Sequence, residues 1–245
     1  MAHVIPFHGT LYNPATVGDV RQVVAPPYDI IDATLQKTLH DRHANNVIRL
    51  ELGYEQPGDT PSDNKYLRAA GALKTWLKSG ALRRDDKPAI YYHTIEYQPP
   101  YSAPGTPTKV FKGFLSTVEL EEFGSGKLYP HENRRAAAKT DRFNLLEACR
   151  ANFSAIISLY SDPQNDVLTL IERSIASDKP RIDFQDDVGF RQRLWSVTDP
   201  AVLAKVVEIM HTKQLFIADG HHRYETALNY RRARRQQAGA PSGPQ

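Results

Sequence analysis

The sequence predicts an α+β (mixed α/β) fold built on a mixed sheet with flanking helices. Three observations carry this expectation. Long β-patterned runs at 89–97 and 109–120 flank a Pro/Gly-rich stretch at 98–108 and read as a hairpin. The residues Tyr66, Ala69, Ala70, Leu73, Trp76 and Leu77 recur at three- and four-residue spacing, the stripe of a packing helix. Late in the chain the apolar run Leu215 to Ala218 passes through Asp219-Gly220 into a helical pattern carrying Tyr224, Ala227, Leu228 and Arg231 on one side.

Taken in order, Val4 to Tyr12 reads as an opening strand and turn. The loop Val-Ala-Pro-Pro-Tyr-Asp (24–29) is stiffened by two prolines and holds Tyr28 and Asp29; it can line a site or cap a core. Asp32 to His40 is a short helix. Asn46 to Leu52 alternates Val47, Arg49 and Glu51 against Ile48, Leu50 and Leu52 and reads as a strand. Ser62 or Asp63 caps the packing helix, and Gly80 ends it. A helix is expected from about Arg135 to Arg150, with Ala138, Arg142, Leu145, Leu146 and Cys149 on its inner side. Strands follow at 155–161, 182–185 and 190–197, with a helix at 166–176. Asp199-Pro200 starts another helix that runs through His211.

Composition narrows the class. The chain has 245 residues, 40% hydrophobic and 24% charged, ordinary for a globular protein. A net charge of +3 gives no broad electrostatic footprint for nucleic acid. Arg231, Arg232, Arg234 and Arg235 form a basic run that could meet phosphates, but such a run more often sits at a solvated helix C-terminus. A single cysteine, Cys149, gives no disulfide framework. There is no long apolar span and no signal-peptide pattern. The expectation is a cytoplasmic chain without membrane contact, one domain over 1–237 and a disordered tail at 238–245.

The chemistry concentrates in two places. A strand ending in Asp219-Gly220 and entering a helix points unpaired amides and a positive dipole end outward, an anion site. Gly220 permits close approach, and Arg223 offers a planar fork for phosphate or carboxylate. His222 and Thr226 are four apart and share a face. The alternative is that Asp219 caps the helix while His221, His222 and Arg223 are solvated. Zinc is disfavoured, because adjacent helical histidines diverge by about 100°. The second constellation is Tyr-Pro-His-Glu (129–132), followed by Lys139 and Arg142. Glu132 at a helix start is favoured by the dipole and could accept a proton beside His131. It could equally be a helix-start charge, with Lys139 and Arg142 on a solvated face.

The segments 24–29, Asn-Val-Ile-Arg-Leu (46–50), 129–132, Lys-Thr-Asp-Arg-Phe-Asn-Leu-Leu (139–146) and Ala-Asp-Gly-His-His-Arg-Tyr-Glu-Thr-Ala (218–227) resemble the bacterial and archaeal family called domain of unknown function 1015. Members of that family usually continue further, which implies an N-terminal portion. Pro-His-Glu with the later Asp-Gly-His-His-Arg also resembles the ADP-dependent free-serine kinase and the wider ParB/sulfiredoxin-like fold, here with insertions. This resemblance implies phosphoryl transfer from ADP or ATP, with Mg²⁺, to a small hydroxyl substrate such as L-serine. It implies Glu132 as base with His131 beside it, and Asp219 placing metal or hydroxyl. Gly220, His221, His222, Arg223 and Thr226 would hold the nucleotide phosphates, and Lys139, Arg142, Tyr28 and Asp29 the substrate. Two departures stand out: a long insertion separates Glu132 from Asp219, and Arg134 replaces a threonine common in the family. A non-catalytic nucleotide- or phosphate-binding module, with a DNA or protein partner, is the alternative.

Overall fold

In the computed structural model, residues 2–103, 105–122, 128–129 and 136–239 are described, with the backbone alone at 128–129 and 136–139. The chain runs β1 (Val4–Ile5), β2 (Thr10–Tyr12), α1 (Pro14–Val17), α2 (Ala33–Arg42), α3 (Ile48–Glu51), α4 (Lys65–Ser79), β3 (Leu82–Arg84), β4 (Ile90–Tyr97), β5 (Lys109–Leu115), β6 (Thr117–Val118), β7 (Leu128–Tyr129), α5 (Ala136–Cys149), β8 (Ile157–Leu159), α6 (Asp166–Ser174), β9 (Ile182–Gln185), β10 (Arg191–Val197), α7 (Pro200–His211), β11 (Leu215–Asp219) and α8 (His221–Gln237). Tight 3₁₀ turns lie at Val20–Gln22 and Tyr28–Ile30. The fold is mixed α/β. No helix among the described residues is long and apolar enough to cross a membrane.

Capping chemistry decides where several helices begin. Asp32 accepts from the Leu35 amide at 2.7 Å and starts α2. Asp199 accepts from the Ala201 amide at 2.8 Å, and Pro200 occupies the first turn of α7. Asn64, rather than Ser62 or Asp63, caps α4 by accepting from the Tyr66 and Leu67 amides. The reason is reach: both amides lie within one turn of Asn64. Gly80 ends α4 in the left-handed region at φ 77°.

Contacts gather the chain into two units. The first comprises Met1–Gln22, Ala81–Glu119 and Ser161–Gln214. Its main sheet is antiparallel in the order β5-β4-β10-β9, and the β4–β5 pairing makes 98–108 a hairpin connection. Two short pairs, β1–β6 and β2–β3, accompany it. Ile90, Tyr91, Tyr92 and Val197 from the sheet are buried, as are Val167 and Ile171 of α6 and Val206 and Met210 of α7. Burial of these aliphatic and aromatic side chains is the main stabilising term of the unit.

The second unit comprises Val23–Gly80, Leu120–Tyr160 and Leu215–Gln245. Here β11 is central, parallel to β7 and antiparallel to β8, so the sheet is mixed. Helix α5 packs on both α4 and α8. The core includes Leu39, Ile48, Leu50, Trp76, Leu145, Leu215, Ile217, Tyr224 and Leu228.

Two stretches differ from expectation. The run 109–120 breaks after Leu115, its continuation Thr117–Val118 pairing with β1 in a separate sheet. Residues 46–52 form the helical turn α3, not a strand. Buried Asn46 organises it: its Oδ1 accepts from the Ile48 amide at 3.0 Å, and its Nδ2 donates to the Val24 carbonyl at 3.0 Å. Side-chain bonding of this kind turns the backbone locally and overrides the β propensity of Val47 and Ile48.

Candidate functional site

The site is built on the second unit's sheet. Strand β11 alternates, with Leu215 and Ile217 buried and Phe216 exposed, and delivers Asp219 to its end. Gly220 then takes φ +94°, a left-handed conformation that L side chains rarely adopt, and serves as N-cap of α8 without a side-chain cap bond. Asp219 therefore does not cap the helix. Its carboxylate pairs with the Arg223 guanidinium one turn on.

Arg223 folds back over the turn. Its Nη1 donates to the Ala155 carbonyl and its Nη2 to Asp219. A Cβ placed on Gly220 would stand 2.9 Å from Arg223 Nε, so the absent side chain makes room for the arginine. The fork expected to face a ligand is thus anchored within the protein, and Arg223 is mostly covered.

The neighbouring residues divide. His222 Nδ1 is buried, has no hydrogen-bond partner and stands 3.6 Å from Glu225 Oε2. Thr226 is buried and donates its hydroxyl to the His222 carbonyl at 2.7 Å. The two share a face, as the spacing predicts, but this hydroxyl proton is committed to the helix backbone. His221 is half-buried on the first turn of α8.

A second cluster adjoins the turn through Ser154 and Ala155. Arg142, on α5, is buried rather than on a solvated face. Its Nη1 donates to Glu51 Oε1 at 2.9 Å, its Nη2 to the Glu51 carbonyl at 3.0 Å, and its Nε to Asp141 Oδ2 at 2.9 Å. Ser154 donates to the same Glu51 oxygen at 2.8 Å. The crevice between Glu51, Lys65, Tyr66 and Arg142 measures only about 10 Å³, too small for a substrate. Arg142 is held, not waiting for a carboxylate.

Tyr28 joins the two clusters. The Arg142 guanidinium lies 4.4 Å from the centre of its ring, cation–π range. Burial pushes the Tyr28 hydroxyl above its usual pKa, while the charges of Arg142 and Arg223 oppose that rise. Both arginines therefore act on one phenol. Asp29 is exposed on the adjoining 3₁₀ turn.

Asp141 completes the cluster, bonded to Lys65 at 2.8 Å and to the Tyr66 hydroxyl at 3.0 Å. Burial opposes its ionisation, but hydrogen bonds from Lys65 and Arg142 outweigh burial and hold its carboxyl below the usual range. Burial pushes the Cys149 thiol up to about 11, which keeps it protonated and unreactive.

The structure brings together Tyr28, Arg142, Asp219, Gly220 and Arg223 from three sequence segments. His131 and Glu132 lie outside the described residues, as does the side chain of Lys139. Among the described residues, no group of three or more His, Cys, Asp or Glu side chains could hold a metal ion. The basic run on α8 is partly tied down: Arg231 and Arg232 both pair with Glu122. Sequence reasoning did not single out Glu51 or Ser154. The available signal for Glu51 was an acid set between leucines, Leu50-Glu51-Leu52, in a chain that also carries Arg142 at helical spacing from Ala138, Leu145 and Leu146.

Fold and site together define a mixed α/β protein in which Arg223 covers a glycine turn at a helix start and Tyr28 lies near both Arg223 and the buried Arg142. The chain matches, over residues 4–245, the family described as protein of unknown function (DUF1015), and it belongs to that family. No curated protein and no solved structure matches the chain.

Proposed function

We propose that this protein is a small-molecule kinase, transferring a phosphoryl group from ADP or ATP to a small hydroxyl substrate such as L-serine. The observation that carries the reading is the meeting of Tyr28, Arg142 and Arg223, with Asp219, at the Gly220 helix start. Phosphoryl transfer requires mainly positioning and charge neutralisation, which a helix N-terminus and fixed guanidinium groups supply. The likeness of Pro-His-Glu and Asp-Gly-His-His-Arg to the ADP-dependent serine kinase and the ParB/sulfiredoxin-like fold supports the same reading.

Each residue has a part. The first amides of α8, with His221 and His222, would hold phosphate oxygens. Arg223 would trade its contact with Asp219 for one with phosphate. Thr226 would fix the first turn from inside. Tyr28 and Asp29 would border the acceptor, and Lys139 would take the substrate's carboxylate in place of the caged Arg142. Glu132, with His131 beside it, would accept the hydroxyl proton. Asp219 suits Mg²⁺ as a hard oxygen ligand and leaves more than half its side chain exposed. Phosphate oxygens and water would complete the shell, and the ion would neutralise phosphate charge.

Incubating the protein with Mg²⁺, ADP or ATP, and L-serine tests this by phosphorus NMR. Phosphoserine is the expected product, and Glu132→Gln abolishes it. Absence of any nucleotide turnover by the unaltered chain overturns the reading. A second reading, a non-catalytic nucleotide- or phosphate-binding module, is favoured by the internal engagement of both guanidinium groups. Nucleotide binding unchanged in Glu132→Gln, without product, identifies it.

A further inference from the structure

The first unit contains a cleft of about 230 Å³ that the proposed reaction does not use. Asn13, Pro14, Arg83 to Asp86 and Arg181 are among the residues that line it. Its wall is fixed by a hydrogen-bonded chain. The Gly9 amide donates to the Tyr91 hydroxyl at 2.7 Å, and that hydroxyl donates to Asp85 Oδ2 at 2.7 Å. A Cβ on Gly9 would fall 2.5 Å from the Tyr91 ring, so the fit of backbone to ring is close. Arg181 Nη1 donates both to Asp85 Oδ2 at 2.6 Å and to Ser196 Oγ at 2.8 Å.

This arrangement leaves cationic donors in surplus. Among the described residues, Nε and Nη2 of Arg181 find no acceptor, so one edge of an immobilised guanidinium remains unused. Burial opposes ionisation of Asp85, but hydrogen bonds from Arg181 and Tyr91 hold it below the usual carboxylate range. It stays ionised and balances Arg181. Arg83 and Arg84 are exposed and pair with no carboxylate among the described residues, and Asp86 is the remaining acid at the cleft. A solvated surface arginine is common alone. Two of them beside an arginine already fixed by its far edge, all lining one concavity, form an arrangement suited to a bidentate anion.

We propose that this cleft binds a small phosphate anion, either inorganic phosphate or the phosphate group of a small monoester. Arg181 makes the two-point contact through its unused edge, and Arg83 and Arg84 close the charge balance. The volume admits phosphate with a few attached carbons and is smaller than the usual pocket for a nucleotide-sized ligand, on the order of 300–1,000 Å³.

Calorimetric titration of the full chain with inorganic phosphate, and separately with glycerol phosphate, tests the proposal. Saturable binding in the millimolar range or tighter is expected. It weakens at least about tenfold in Arg181→Lys, which keeps the charge and can still pair with Asp85 but loses the fork. The double variant Arg83→Ala/Arg84→Ala, on exposed positions, weakens it similarly, whereas Arg223→Ala leaves it in place. Tighter binding of the ester assigns the site to a monoester, and equal binding assigns it to phosphate itself. Absence of saturable binding overturns the proposal. So does binding unchanged in both cleft variants, or binding lost only in Arg223→Ala, which would place the anion at the α8 turn instead.

Discussion

Gly220 is required twice over. Its φ of +94° suits a residue without Cβ, and the space a Cβ would fill is occupied by the Arg223 guanidinium. Gly220→Ala is expected to cost roughly 1–3 kcal/mol, the scale of a residue held in an unfavoured backbone region. A urea titration followed by circular dichroism reads this as a lower midpoint with unchanged slope. Gly71, in mid-helix with open space around it, is the internal comparison, and Gly71→Ala should leave stability equal or raise it. Equal midpoints for Gly220→Ala and the unaltered chain would contradict this role. The turn itself was legible in the sequence, because Asp-Gly after an apolar run is a local signal. The destination of Arg223 was not. Whether a guanidinium faces a ligand or folds onto its own strand end depends on acceptors such as the Ala155 carbonyl, which only the tertiary fold brings near.

Among elements, α3 and α5 are joined by a buried charge pair. Glu51 and Arg142 are each only 8% exposed at the side chain, and Ser154 adds a third partner. Removing one member strands the other, so Glu51→Ala is expected to destabilise by roughly 3–5 kcal/mol. Ser154→Ala, which removes one hydrogen bond, is expected to cost about 1 kcal/mol. Denaturant unfolding of both variants checks the ratio, and similar small losses would show that the pair is not a structural tie. Pairing between elements also explains why 46–52 is helical although its sequence alternates. The apolar and charged residues there alternate as on a half-exposed strand. In the fold Ile48, Leu50 and the charged Glu51 are all buried, because Arg142 arrives from α5 to pair with Glu51. Alternation reports a two-sided element only when charge marks the solvent side, and here it does not. By contrast, α2 and α7 were legible because Asp32 and Asp199 cap their own neighbours, an interaction contained within a few residues.

Across the whole chain, each contact unit contains a carboxylate held below its ordinary range. Asp141 serves the second unit, as described. In the first, burial opposes ionisation of Asp162, but the Val167 amide and Lys213 hold its carboxyl below the usual range. A carboxyl depressed in the folded state contributes stability above its unfolded pKa of about 4, and that contribution is lost as pH falls through the folded value. The melting temperature is therefore expected to be level near neutrality and to drop below about pH 4. Asp141→Asn should start lower and fall less steeply, and a slope equal to the unaltered chain's would remove Asp141 from the account. The interleaving of the two units was not legible. Each is assembled from three separated stretches, and nothing in local composition changes where the chain leaves one and joins the other. Periodicity reports which face of an element is apolar, not which distant element covers it.

In the proposed kinase the Gly220 turn, with Arg223 over it and Tyr28 nearby, would receive a phosphate. A crystal structure of the protein with ADP and Mg²⁺ tests it most directly. Phosphate oxygens are expected on the first amides of α8, with the Arg223 guanidinium drawn from Asp219 toward them. Nucleotide bound elsewhere, with the Asp219–Arg223 pair undisturbed, would contradict it.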